Sequence, residues 1–248
     1  MMNVTETVKQ LLIINILFFI GTLIVGNPAY EILAMYFPEN QEFHGWQVIS
    51  HMFMHGSFMH IFFNMFALYS FGSALEHFWG SQKFLFFYIS CGLGAALLHT
   101  GINYYYFNDA ISILGEQGFQ KTEILKLLNE GKIDTRWQSI LTASEYQNFI
   151  SAFVGTVVGA SGAIYGIVVA FAFMFPNAEL ALLFIPVPIK AKYFVPGLVL
   201  IDLYLGVSGQ SIFGGTGIAH FAHVGGALFG FLIMWYWKKN EFNSNRWN

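Results

Sequence analysis

The sequence has 248 residues, of which 56% are hydrophobic and only 10% are charged. Soluble domains contain about 25% charged residues, so this composition excludes an ordinary soluble globule and indicates an integral membrane protein. The net charge of −3 argues against a nucleic-acid-binding protein, and the single cysteine excludes a disulfide framework. Five stretches contain no Asp, Glu, Lys or Arg: 10–30, 43–75, 84–108, 146–178 and 203–237.

The first three of these stretches each predict one transmembrane helix. A span needs about 20 mostly apolar residues, and the segments near 11–25, 57–78 and 84–106 meet that requirement. The first segment lacks a small-residue cleavage site and ends at Asn27-Pro28. These features favour a retained helix over a cleaved signal peptide.

Residues 108–148 differ from the rest because they carry ten of the chain's charges. Within them, residues 123–130 predict a short amphipathic helix with Ile124, Leu127 and Leu128 on one face. We predict an extramembrane insertion between the third and fourth helices that has no core of its own. The chain is then a single membrane domain over residues 1–248.

The fourth charge-free stretch, 146–178, is too long for one span. Its glycine-containing first part is expected to be irregular backbone surrounded by protein, followed by a helix near 161–175. A fifth helix is predicted near 192–206, and a sixth near 219–237 ends in aromatic residues and lysines typical of a membrane interface. Residues 180–189 are also apolar, but two prolines argue against a further span. The predicted fold class is an all-α membrane protein with a bundle of six transmembrane helices.

The distribution of basic residues predicts the orientation of this bundle. With six spans, both termini lie on one side, together with Lys9, Lys83, Lys190 and Lys192. The other side would hold basic residues only in the 108–148 insertion. The positive-inside rule then places both termini in the cytoplasm, and we expect a multi-pass protein of the cell (inner) membrane.

Polar groups inside a membrane are costly, so each one is a candidate for function. At a rise of 1.5 Å per residue, Ser161 and His223 each lie about 21 Å from the cytosolic end of their predicted helices, and His60 lies about 24 Å from it. Gly162 in the fourth helix and Gly226 in the sixth belong to small-xxx-small pairs, which let helix backbones approach closely. Ser161 and His223 are therefore expected to meet at one depth.

This set of side chains suits nucleophilic catalysis. A serine hydroxyl becomes a nucleophile when a base takes its proton, and a neutral histidine can do this near pH 7. The resulting oxyanion needs donors, which His60 and Asn64, on one helix face, and the backbone N–H of Ser161 could supply. The sequence places no acidic residue to orient His223, which predicts a Ser–His dyad rather than a triad.

Three segments lie in order on the second, fourth and sixth predicted helices: His60-Ile61-Phe62-Phe63-Asn64, Gly159-Ala160-Ser161-Gly162 and Ala222-His223-Val224-Gly225-Gly226. These segments resemble the motifs of the rhomboid family of intramembrane serine proteases. The resemblance implies that Ser161 is the nucleophile, that His223 is the general base, and that His60, Asn64 and the Ser161 amide form the oxyanion hole. It also implies that Tyr165 packs on the catalytic histidine, and that single-span membrane proteins are cleaved in the lipid bilayer without a cofactor or metal.

Other interpretations stay open at this point. An inactive rhomboid-like protein that binds membrane clients would share the fold, although such proteins usually lose the serine or the histidine. A metal or proton transporter could use His51, His55, His60 and Asp202. We favour interfacial positions for the first two histidines, and for Asp202 a buried, hydrogen-bonded place facing the bundle. Residues 207–218 are a candidate cap over the site.

Overall fold

The computed structural model describes residues 4–182, 185–210 and 219–240, and helices dominate these ranges. Helix α1 spans Glu6–Val25, and α2 spans Asn27–Leu33. Between them Gly26 has a φ of 75°, a left-handed angle that glycine adopts without steric cost. The short α3, Gln47–Ser50, continues through one 3₁₀ turn at His51–Phe53 toward the second membrane helix.

The second membrane helix runs from Phe58 to Trp79 and changes its winding in the middle. Its segments are α4 (Phe58–Ala67), a π-helical turn (Leu68–Gly72) and α5 (Ser73–Trp79). Ser57 caps the helix, because its side chain accepts a hydrogen bond from the backbone N–H of His60. This cap defines the first turn of α4, in which His60 lies.

Helix α6 spans Ser81–Glu116 and is much longer than the predicted third helix. Its 36 residues reach about 54 Å, whereas the hydrocarbon core of a bilayer is about 30 Å thick. The helix therefore continues into the insertion instead of ending near residue 106. The apolar pattern located the span but not the polar extension that follows it.

The insertion folds into three helices that pack on the C-terminal part of α6. They are α7 (Lys121–Asn129), α8 (Trp137–Ile140) and α9 (Ala143–Val154). The amphipathic helix is confirmed, because α7 buries Ile124 and Leu128. The prediction of an insertion without a core of its own did not anticipate a separate hydrophobic cluster, which these helices share with α6 and the first loop. Its large members are Phe37, Phe107, Leu114, Ile124, Leu128, Trp137, Phe149 and Phe153.

The chain enters α10, Ser161–Met174, through irregular backbone, as predicted. Met35 and Val157 exchange two backbone hydrogen bonds of 3.0 and 2.9 Å. The N–H of Gly159 donates to the carbonyl oxygen of His51 at 2.9 Å. The segment before Ser161 is thus held by backbone contacts on both sides.

A small antiparallel hairpin follows α10, and it accounts for the apolar run at 180–189. Strand β1 is Glu179–Leu182 and β2 is Ile185–Lys190, with Glu179 opposite Lys190. The prolines were therefore a correct signal against a further span. The hairpin is followed by α11, Ala191–Ser208, and α12, Ala219–Asn240.

Within residues 4–182, 185–210 and 219–240, five helices are long and apolar enough to cross a membrane, which confirms the predicted all-α membrane fold. Helix α10 is apolar too, but its 14 residues reach only about 21 Å, so the sixth span stays a prediction. Large apolar side chains such as Leu17 and Leu23 of α1 are exposed, as expected for a helix that contacts lipid. The five helices are Glu6–Val25, Phe58–Trp79, Ser81–Glu116, Ala191–Ser208 and Ala219–Asn240.

Helix α10 lies in the middle of the bundle and packs on both α6 and α12. Glycines at these interfaces allow the helix backbones to approach closely. A Cβ atom at Gly226 would lie 1.8 Å from the carbonyl oxygen of Gly162, and one at Gly166 would lie 2.3 Å from Sγ of Cys91. The close approach sets Ser161, at the start of α10, directly beside α12.

Candidate active site

The N-terminus of α10 and the first turns of α12 bring two candidate side chains together. Oγ of Ser161 lies 3.0 Å from Nε2 of His223. The side chain of His223 is 25% exposed, so the pair is partly accessible. This is hydrogen-bond distance, at which an imidazole can accept a hydroxyl proton. Ser161 also opens its helix, where backbone N–H groups lack intrahelical acceptors.

A carboxylate faces the other nitrogen of His223. Oδ1 of Asp202, on α11, lies 3.1 Å from Nδ1 of His223, and Asp202 is only 5% exposed. The expectation that no acidic residue orients His223 was therefore wrong. Asp202 belongs to a different helix, 21 residues earlier in the chain, and only the packing of α11 on α12 joins the two side chains.

Asp202 has two further partners in the bundle. Its Oδ1 lies 2.5 Å from Nδ1 of His220, and its Oδ2 accepts a hydrogen bond from the hydroxyl of Tyr165. The ring of Tyr165 stacks on that of His223, with centroids 4.4 Å apart and an angle of 9° between the planes. The favoured interpretation of Asp202 as a buried, hydrogen-bonded carboxylate is confirmed.

His60 approaches Ser161 from α4. A Cβ atom at Gly159 would lie 2.7 Å from both Cε1 and Nε2 of His60, and 3.6 Å from Oγ of Ser161. Gly159 also has a φ of 124°, which side-chain-bearing residues rarely adopt. Glycine at this position therefore leaves the space that the imidazole of His60 uses beside the serine.

Asn64 lies one turn after His60 on the same face of α4. It is 6% exposed, and its Nδ2 atom is buried without a hydrogen-bond partner among the described residues. Leaving a buried donor unpaired costs about 1–3 kcal/mol, so such a group in a native protein calls for an explanation. An acceptor that arrives with a substrate is one such explanation.

His51 and His55 are buried rather than exposed. The ring of His55 packs edge-on against that of His60 at a centroid distance of 5.0 Å, and neither of its nitrogens has a hydrogen-bond partner in the described ranges. Burial lowers the pKa of His55 to about 4, and the neighbouring His60 adds to the shift. Burial also lowers the pKa of His51, whose Nδ1 lies 2.7 Å from the carbonyl oxygen of Gln47.

Among the residues that the structure describes, one cluster has donor atoms close enough to hold a metal ion. Those of Asp202, His220 and His223 lie within 4.8 Å of one another. In this structure Oδ1 of Asp202 lies within hydrogen-bond distance of Nδ1 of both histidines. The candidate cap at 207–218 lies mostly outside the described residues, because the structure does not describe 211–218.

The fold and the site define a multi-pass helical membrane protein that holds a serine–histidine pair inside its bundle. The Rhomboid domain profile matches residues 42–119 and 131–240, and the gap between them coincides with α7. Rhomboid protein 1, mitochondrial, of Saccharomyces cerevisiae is 27% identical over 192 residues, which are 77% of this chain and 42% of that relative. The chain thus spans less than half the length of this relative. It belongs to the rhomboid family, a family of intramembrane proteases.

Proposed function

We propose that this protein is an intramembrane serine endopeptidase that cleaves peptide bonds of single-span membrane proteins. The observation that carries the proposal is the 3.0 Å contact between Oγ of Ser161 and Nε2 of His223 inside an apolar helix bundle. Family membership supports the same reaction class. A protein that only bound membrane clients would not need this contact.

In the proposed reaction, Ser161 attacks the scissile carbonyl carbon while His223 takes the hydroxyl proton. His223 then gives the proton to the leaving amine, so that the amide bond breaks and Ser161 remains acylated. Water repeats the sequence, releases the new carboxyl terminus and restores the serine. Each proton moves between the chain's own side chains, the substrate and water, so the mechanism uses no cofactor or metal.

We assign the oxyanion hole to His60, Asn64 and the backbone N–H of Ser161. The ring of His60 lies against Gly159, next to the serine, and Nδ2 of Asn64 is a buried donor without a partner in the described structure. The start of α10 adds the positive end of a helix dipole. Loss of one such donor lowers kcat by roughly 10²–10³ in serine proteases.

Cleavage of a membrane-anchored reporter by the reconstituted protein tests the proposal. Ser161→Ala and His223→Ala are each expected to abolish product, whereas Ser139→Ala, at an exposed serine of the insertion, keeps wild-type activity. A fluorophosphonate should label the wild type but not Ser161→Ala. Undiminished cleavage by Ser161→Ala would remove the proposal. Crosslinking of a membrane client without any product would instead support a binding function.

A further inference from the structure

We infer that Asp202 is a positioning residue for His223, which makes the site a Ser161–His223–Asp202 triad. The inference rests on the proposed function and extends it. Three helices contribute one member each: α10 the serine, α12 the histidine and α11 the carboxylate. The chain of contacts is continuous, with 3.0 Å from Oγ to Nε2 and 3.1 Å from Nδ1 to Oδ1.

The carboxylate selects the tautomer of His223 that can act as a base. A neutral imidazole has one N–H, and an ionised carboxylate only accepts hydrogen bonds. The proton of His223 therefore lies on Nδ1, toward Asp202, and the lone pair of Nε2 points at Ser161. When Ser161 gives up its proton, the same carboxylate stabilises the imidazolium that forms.

Asp202 is itself held in place from two sides. Oδ2 accepts a hydrogen bond from the hydroxyl group of Tyr165, and Oδ1 lies within hydrogen-bond distance of Nδ1 of both His220 and His223. Tyr165 also covers the face of the His223 ring. The imidazole is thus fixed at its edge by a carboxylate and on its face by a stacked ring, which keeps a catalytic group in one orientation. A buried carboxylate is tolerated when it has such partners.

The decisive measurement compares kcat and KM of Asp202→Asn with those of the wild type in a reconstituted bilayer. Asparagine keeps the shape but can donate to Nδ1, which favours the tautomer with its proton on Nε2. We expect kcat to fall at least 100-fold while KM stays within about twofold, because substrate binding does not involve Asp202. Labelling of Ser161 by a fluorophosphonate should slow in parallel. Asp109→Asn, at an exposed position of α6, is the matched control and should behave as wild type.

A second pair keeps the test decisive if Asp202→Asn does not fold. Asp202→Glu and Asp202→Gln have the same size and differ in charge, so Asp202→Glu should retain at least tenfold more kcat than Asp202→Gln. Equal kcat in this pair, or a kcat of Asp202→Asn within threefold of wild type, would overturn the inference while Ser161→Ala remains inactive. Absence of cleavage by the wild type would instead overturn the proposed function, and this inference with it.

Discussion

Gly159 is the residue on which the approach of His60 to Ser161 depends. Its φ of 124° and the 2.7 Å that would separate a Cβ atom from the His60 ring exclude any side chain without movement. The residue supplies no chemical group to the site. It contributes by leaving free the space that the imidazole ring of His60 occupies.

We therefore expect Gly159→Ala to lower kcat of reporter cleavage by at least tenfold, because the added methyl group displaces His60 from the serine. Gly101→Ala in α6 is the matched control, since nothing lies within 4 Å of a Cβ atom there. Equal kcat for Gly159→Ala and wild type would show that His60 does not need its present position.

Also at the residue scale, burial of His55 should make the free energy of unfolding depend on pH. Its pKa of about 4 means that the folded protein keeps it neutral, whereas the unfolded chain protonates histidine near pH 6.5. Between these values the unfolded state binds more protons, so the free energy of unfolding falls as pH is lowered from about 6.5 to 4. Buried His51 acts in the same direction.

The expected result is a melting temperature in detergent that is lower at pH 4.5 than at pH 7. His55→Gln should reduce this difference, because a histidine whose pKa is lowered by burial no longer titrates. His44→Gln, at an exposed histidine, should leave it unchanged. A pH dependence that is identical in His55→Gln and wild type would contradict the assignment.

At the scale of elements, Glu76 connects the end of α5 to the start of α1. Its carboxylate accepts hydrogen bonds from the backbone N–H groups of Thr7 and Val8, both at 2.9 Å. It also accepts hydrogen bonds from the hydroxyl groups of Thr5 at 2.5 Å and Ser81 at 2.7 Å. The first N–H groups of a helix have no intrahelical acceptors, so this buried carboxylate serves as the cap of α1.

Glu76→Gln should lower the free energy of unfolding by roughly 2–4 kcal/mol, because the amide loses the charge and one acceptor oxygen. Thermal unfolding in detergent measures the effect. Glu6→Gln, at an exposed glutamate in the first turn of α1, is the control and should shift the melting temperature little. An unchanged melting temperature in Glu76→Gln would show that other contacts hold the start of α1.

For the whole molecule, the structure brings four helix ends to one side of the bundle. Glu76 joins the start of α1 to the end of α5, Trp79 contacts Trp237 at the end of α12 at a centroid distance of 5.3 Å, and Phe78 contacts Phe175 after α10 at 5.5 Å. The ammonium of Lys83 lies 4.2 Å from the ring of Trp237 on this side as well. The basic residues Lys9, Lys83, Lys238 and Lys239 thus gather near one end.

The positive-inside rule then predicts that this end, with both termini, faces the cytoplasm. A C-terminal alkaline phosphatase fusion should be inactive and a C-terminal green fluorescent protein fusion should fluoresce. A phosphatase fusion within the α7–α8 segment of the insertion should give the opposite result and serves as the control. Phosphatase activity of the C-terminal fusion would show that the orientation is the reverse of the one proposed.

Much of this architecture is readable from the chain because lipid requires apolar runs of helical length. The helices near 11–25, 57–78, 192–206 and 219–237 agree with the structure within a few residues at most ends. Helix α6 does not, because its polar extension is stabilised by contacts with the insertion and with the first loop. Those contacts join Phe37 and Trp137 to one cluster, and such distant pairs leave no periodic signal.

The sequence by itself determined the membrane class, the positions of the helices and the motifs that contain the serine, the histidine and the glycines. These features follow from hydropathy and from short spacings along the chain. The tertiary structure alone decided that Asp202 faces His223. That contact depends on how α11 is rotated about its axis and how it crosses α12, and neither quantity is encoded in the separation of 21 residues along the chain.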